Sequence, residues 1–317
     1  MKLALGGALV AAILAVPAQA QTQPAAPAPG QGPSDVKGPD ANHTAFPAFK
    51  ITDHMYYVGG ANLGSYIIKT AKGLILVNTG FTYNTPMIEK SMADLGFKVK
   101  DIKILLISHA HIDHDAGAVE FIAKSGAKYY VMEGDADVVE SGGKLDYNYG
   151  DDPKEYYPAA HVDKVLHDGD TVSLGEITLT AHLTPGHTKG DTTWTFTDNL
   201  NGKARKVVIV GGPLTNRAMK IINNPKYPNL VADYAKNFAV LRSLPADIFV
   251  GPHGYYYDLP TKYAKWKAGD SEAFVDPAGY KAFVDRAEAA FARAKTKEEE
   301  ALAAAAATAK PAAPPAG

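Results

Sequence analysis

Hydrophobic positions recur along this chain with two periods, and their alternation predicts its layers. In residues 55–80 the runs MYYVGG, SYIIKT and GLILVNTG are short, apolar or β-branched, and separated by Gly and Asn, which predicts an antiparallel set of strands. PMIEKSMADLGF then spaces its apolar residues as a helix does and stops at Gly96. A strand at 103–107, a helix to about residue 124, a strand at 128–132 and a helical EGDADVVES follow. Strand and helix in alternation predict an α/β layer. Beyond a Gly-, Asp-, Pro- and Tyr-rich stretch at 141–158, VDKVL, TVSL, ITLTAHL and KVVIV predict further strands. A helix over 230–243 keeps Val231, Tyr234, Phe238 and Leu241 on one face. DIFVG returns to strand, and helices at 260–268 and 277–295 complete the pattern.

Three of these strands end in histidines. KILLISHAHIDHDAG places His109, His111, Asp113, His114 and Asp115 directly after the apolar run 104–107, too many ligand-type side chains in one loop for a packing role. His109 and His111 are two apart, so on an extended segment they point the same way and can grip one ion. Asp113 and His114 lie on the turn that follows, so one short loop can offer ligands to two neighbouring ions. Neutral imidazole clustered with carboxylate favours zinc. In LTPGHTKGD, Pro185 and Gly186 turn the chain sharply and expose His187, a third imidazole; DIFVGPHG repeats strand, turn and histidine at His253. His43, His54, His161, His167 and His182 lack such company and read as surface or hydrogen-bonded side chains.

The termini and the composition narrow the setting. Residues 1–20 have a basic residue at position 2, an apolar stretch and an Ala-Gln-Ala ending, the pattern of a secretory signal, so export to the periplasm is expected. Residues 21–42 read as a disordered Pro/Ala-rich leader, 298–317 as a disordered Ala/Pro-rich tail, and 43–297 as one large domain. A net charge of −2 with scattered basic residues argues against a nucleic-acid surface or a polybasic membrane patch. With no cysteine, an exported chain relies on its core and on bound metal for stability.

H-A-H-I-D-H, T-P-G-H-T and G-P-H-G, in this order, resemble the metallo-β-lactamase superfamily. The resemblance implies an α/β fold, the four-layer αβ/βα sandwich, with two mixed sheets face to face, helices on the outer faces and the metal site at one edge. Carried over residue by residue, it implies two Zn2+ per chain, the first on His109, His111 and His187, the second on Asp113, His114 and His253. A histidine on the second zinc, with both Asp113 and His114 supplied by the first loop, is similar to subclass B3 β-lactamases. VVESGGKLDY, LHDGDTV, NNPKYPNLVADY and FVDPAGYKAFVDRAEAAF extend that similarity. The implied activity is hydrolysis of the β-lactam amide by a zinc-bound hydroxide that Asp113 aligns. The implied setting is antibiotic resistance, with a small β-lactam as substrate, no stable membrane anchor and a monomeric enzyme.

Other dinuclear-zinc hydrolases of this fold, acting on lactones, thioesters or phosphodiesters, bridge their metals with an aspartate at a strand end that here reads VIVGGPLTN. A non-catalytic exported zinc-binding protein is the remaining alternative, although two three-ligand sites leave positions open that a structural site closes. The chain departs from its relatives at Asn78, where much of the superfamily has an aspartate ordering the ligands from behind, and at Pro213 and Thr215, where some relatives have serines. The expected pocket contacts are Ala61 and Leu63 from the loop 59–64, and Thr215 and Asn216, with 141–158 as a wall or lid.

Overall fold

The structure, a computed structural model, describes residues 41–308. The expected signal at 1–20, nearly all of the leader and the end of the tail lie outside the described residues. The strands are β1 (Phe49–Lys50), β2 (Met55–Tyr57), β3 (Tyr66–Thr70), β4 (Gly73–Val77), β5 (Ile102–Leu106), β6 (Lys128–Met132), β7 (Lys164–Leu166), β8 (Thr171–Leu174), β9 (Ile177–Leu183), β10 (Thr192–Leu200), β11 (Lys203–Ile209) and β12 (Ile248–Val250). The helices are α1 (Thr85–Asp94), α2 (Ile112–Asp115), α3 (Ala118–Ser125), α4 (Ala136–Glu140), α5 (Leu230–Ser243), α6 (Leu259–Lys267) and α7 (Pro277–Thr308).

β1 to β7 form one sheet in chain order, and the second sheet runs β12-β11-β10-β9-β8. Both are mixed. β1 to β4 pair antiparallel, whereas β4 to β7 pair parallel through helical crossovers. In the second sheet only β11 and β12 are parallel.

Period-2 alternation sends each strand's side chains to two different cores. Ile67, Leu74 and Leu76 join Ile88 and Met92 of α1, Phe121 of α3 and Val138 of α4 on the outer face of the larger sheet. Tyr66, Ile68, Ile75 and Val77 point the other way and meet Trp194, Phe196 and Val208 in the core between the sheets. Strands apolar on both faces are thus explained by two-sided coverage. Full burial of each such side chain contributes about 1.5–3 kcal/mol. Tyr234 and Phe238 of α5 pack with Phe291 of α7 in a third cluster.

Two expectations shift. The helix foreseen from 113 to about 124 is two helices, α2 and α3, separated at Gly117. The domain does not end at 297, because α7 runs to Thr308 and the Glu298 carboxylate accepts hydrogen bonds from Ile221 N (2.8 Å) and Ile222 N (3.1 Å). Alanine's helix propensity carries the chain on through residues expected to be a disordered tail.

Candidate metal centre

The end of β5 is gripped by both sheets before it delivers its histidines. Trp194 Nε1 donates to Ile107 O (2.9 Å), Thr192 N to Ser108 O (2.7 Å), and Ser108 N to Asn78 Oδ1 (2.8 Å). His109 follows in a bend, where its carbonyl accepts from His111 N (3.0 Å), His111 stands in extended backbone before the first turn of α2, and Asp113 and His114 lie in that turn. After β9 the chain reverses at Gly186, whose φ of 133° suits only glycine and whose Cα faces the Tyr234 ring. That turn presents His187. After β12, Gly64 N donates to Pro252 O (2.8 Å) and Leu63 bridges His253, so the loop 59–64 holds the third histidine turn in place.

These turns bring all six expected ligands together. One nitrogen each from His109, His111 and His187 lies within 4.8 Å of the others, and the same limit holds for His109, Asp113 and His114. Asp113 Oδ2 is 3.2 Å from His114 Nε2 and 3.8 Å from His253 Nε2, and the His114 and His253 rings are 4.9 Å apart. His109 therefore stands between two ligand groups.

The donor set fits a metal. Both ring nitrogens of His109 and His114, Nε2 of His111 and Nδ1 of His253 are buried without a hydrogen-bond partner. Each such orphan costs about 1–3 kcal/mol unless something satisfies it, and a cation is what clustered neutral imidazoles accept. Burial, followed by mutual repulsion, holds His109, His114 and His187 well below the usual histidine range and His253 down to about 3, so these rings are neutral lone-pair donors. His111 is the exception: burial would lower it, but the Asp146 carboxylate, 3.5 Å from Nε2, outweighs burial and raises it. His187 Nδ1 is tied to Leu214 O at 2.6 Å.

Other expected site residues take different places. Asn78, at a φ of 62°, bonds Ser108 N and Gly64 O and reaches no imidazole, so it shapes the loops rather than the ligands. Leu63 is 2% exposed, turned into the fold by its pairing with His253, and leaves little surface for a substrate. Asn216 is 8% exposed, and its Nδ2 donates to His187 O (2.7 Å), so it serves the metal loop. Ala61 and Thr215 remain partly open. The stretch 141–158 is a fixed wall: Tyr157 OH donates to Ala110 O (3.0 Å) and Tyr147 OH to Gly186 O (2.9 Å).

Among the remaining histidines, His54 pairs with Asp198 and His182 bonds Thr195, away from this centre. Sequence reasoning placed Asp115 in the first loop but missed three further buried aspartates near the ligands: Asp135, Asp146 and Asp191. Burial pushes Asp115 up to about 7, against a short hydrogen bond from Tyr129 OH, and Asp135 up to about 6, against donations from Thr188, Ala110 and Gly190. Burial likewise pushes Asp191 well above the usual carboxylate range, opposed by Thr184 and Gly212. Asp115 and Asp191 lie within four residues of a ligand, but no local signal distinguishes a buried aspartate from a solvated one; Asp135 and Asp146 are far from every ligand in sequence.

Comparison with known proteins agrees with this geometry. The Metallo-beta-lactamase superfamily model matches residues 64–199. A curated protein of Burkholderia pseudomallei (strain 1710b), described as a "probable metallo-hydrolase", is 33% identical over 107 residues, so the chain spans 34% of that relative's length. Among solved structures, the native FEZ-1 metallo-β-lactamase of Legionella gormanii is 45% identical, with a TM-score of 0.80 over 81% of this chain and 98% of that one. BJP-1, a subclass B3 metallo-β-lactamase of Bradyrhizobium japonicum, is 34% identical, with a TM-score of 0.77 over 83% and 98%. With two mixed sheets, a histidine-rich centre and solved metallo-β-lactamases matched over nearly their whole length, the chain belongs to the metallo-β-lactamase superfamily, as a metal-binding hydrolase whose structural neighbours include subclass B3 enzymes.

Proposed function

We propose that this protein is a zinc-dependent β-lactamase of the B3 type, opening the amide of the β-lactam ring. The observation that carries the reading is the pair of open ligand groups around His109, in a chain 45% identical to a metallo-β-lactamase over nearly all of that enzyme. His109, His111 and His187 would hold one zinc and Asp113, His114 and His253 a second. Zinc there would supply Lewis acidity, polarising a carbonyl oxygen and lowering the pKa of water from ~15.7 to about 7.

The chain's own residues do the rest. Asp113, with a side chain 24% exposed among buried imidazoles, would orient the attacking water by accepting its hydrogen. His109, His114, His187 and His253 stay neutral and so remain available as ligands near pH 7. Ala61 and Thr215, both partly exposed, would meet the substrate, with Thr215 offering a hydroxyl to its carboxylate. Among the described residues no helix is long and apolar enough to cross a membrane, and export to the periplasm rests on the pattern of residues 1–20.

The test is loss of ultraviolet absorbance from a carbapenem and a cephalosporin, before and after chelation and with zinc restored. Hydrolysis that vanishes and returns supports the reading, with His111→Ala and Asp113→Ala inactive and the exposed His161→Ala active. Bound zinc without β-lactam turnover would sink it in favour of a lactone, thioester or phosphodiester substrate.

A further inference from the structure

We infer that Asp191 is the outer carboxylate that fixes His109 as a metal ligand, and that it stands in the space Gly211 and Gly212 leave open at the end of β11. The inference rests on the metal reading of this site and not on the identity of the substrate. Asp191 is fully buried at the turn before β10, and its Oδ1 lies 3.3 Å from His109 Nδ1, in ion-pair range though not aligned as a hydrogen bond.

The surrounding hydrogen bonds have a single direction. Gly211 N donates to Thr193 Oγ1 (3.0 Å), which leaves the Thr193 hydroxyl to donate to Thr184 Oγ1 (3.0 Å), and Thr184 in turn donates to Asp191 Oδ2 (2.8 Å). Gly212 N donates to Asp191 Oδ1 (2.5 Å). Both direct partners, Thr184 Oγ1 and Gly212 N, donate to this carboxylate, so Asp191 faces His109 as an acceptor. An imidazole that gives Nδ1–H to an acceptor keeps its lone pair on Nε2, and a carboxylate behind a ligating histidine both orients the ring and raises its basicity.

The two glycines make this possible by close approach. A Cβ on Gly212 would stand 2.6 Å from His187 Cδ2 and 3.0 Å from Asp191 Oδ1, and one on Gly211 would collide with Asp191 Oδ2. The strand end that lacks a bridging carboxylate therefore gives up its side chains and lends its amides to a carboxylate arriving from the neighbouring strand. Asn78 does not fill this role, since its amide is spent on Ser108 N and Gly64 O.

The experiment measures zinc affinity by chelator competition in wild type, Asp191→Asn and Asp191→Ala, with circular dichroism of each metal-free protein as the check on folding. The expected loss is about 10–100-fold for Asp191→Ala, and smaller for Asp191→Asn, which keeps an acceptor oxygen without the charge. In the cobalt-substituted wild type a slowly exchanging, paramagnetically shifted imidazole N–H line is expected for His109, displaced in Asp191→Asn. Should Asp191→Ala not fold, Asp191→Asn and Thr184→Val, which removes a donor without touching His109, decide through the same line. Wild-type zinc affinity in a folded Asp191→Ala, or no His109 N–H line because Asp191 itself donates, would overturn the inference. A wild-type protein that binds no divalent ion would instead overturn the metal reading beneath it.

Discussion

Asn216 Nδ2 donates to the His187 carbonyl at 2.7 Å, so a residue from the loop after β11 holds the turn that presents the third imidazole. Tyr147 OH shares the task, donating to Gly186 O at 2.9 Å and lying 3.3 Å from His187 O. Asn216→Ala removes a buried donor at a cost of about 1–3 kcal/mol. For a domain of this size each kcal/mol is worth about 2–4 °C in Tm. A lower Tm and weaker zinc binding are therefore expected, measurable by thermal denaturation and chelator competition. A rise in KM with Tm and zinc affinity unchanged would show instead that Asn216 meets the substrate.

Zinc should stabilise this fold more than it would one with a single surface site. Six ligand side chains come from three separate turns, and buried nitrogens of His109, His111, His114 and His253 lack partners within the protein. Free zinc at 100 times its Kd adds about 2.7 kcal/mol, equivalent to a rise of about 5–11 °C in Tm. Scanning calorimetry of the chelated protein with and without added zinc checks this, and an unchanged Tm at saturating zinc would contradict it.

Asp135 gives the metal-free protein a specific pH dependence. Its carboxyl is pushed up from 3.8 to about 6, chiefly by burial, while Thr188 Oγ1, Ala110 N and Gly190 N all donate to it at 2.8–2.9 Å. The folded state thus holds this proton more tightly than the unfolded chain, and stability falls as pH rises from about 4 to about 6. At ~1.36 kcal/mol per pKa unit the decline attributable to Asp135 is on the order of 3 kcal/mol. Asp135→Asn has no such proton to lose. Wild type should exceed the variant by more at pH 4 than at pH 7 in urea denaturation of chelated protein, and a gap constant with pH would refute the assignment.

What was legible in the sequence is what short spans determine. His109, His111, Asp113 and His114 cluster within six residues after an apolar run, and the same strand-then-turn signature marks His187 and His253. The layers were legible too, because Ile67 and Ile68 or Leu76 and Val77 are adjacent apolar residues that only a doubly covered strand can bury. Leu63 and Asn216 were misplaced for the opposite reason. An apolar and a polar residue in turns suggest a pocket wall and a substrate contact, yet their partners are His253 and His187, and nothing local encodes such pairings. Asp191 was silent because the glycines that admit it lie twenty residues further on, at Gly211 and Gly212.

Arg217 is an exposed cation near the candidate metal centre, and on the proposed reading it would draw the anionic substrate towards it. Its side chain is 75% exposed, with one contact to Glu155 Oε1 at 3.4 Å, and its backbone N accepts no constraint beyond a bond to Tyr149 OH (3.1 Å), whose ring lies 5.1 Å from that of His111. An exposed ion pair of this kind is worth about 0–1 kcal/mol, so Arg217→Ala should leave Tm nearly unchanged. Loss of long-range attraction for a carboxylate acts on encounter and ground-state binding, which raises KM and leaves kcat in place. The expected rise is several-fold at low salt, on the order of a kcal/mol or less, and it should shrink as added salt shortens the Debye length from ~10 Å at 0.1 M to ~3 Å at 1 M. Arg217→Glu should amplify the same effect, with KM higher still and the same salt dependence. Equal falls in kcat and kcat/KM would place Arg217 in the transition state instead, and unchanged kinetics at low salt would remove it from substrate capture altogether.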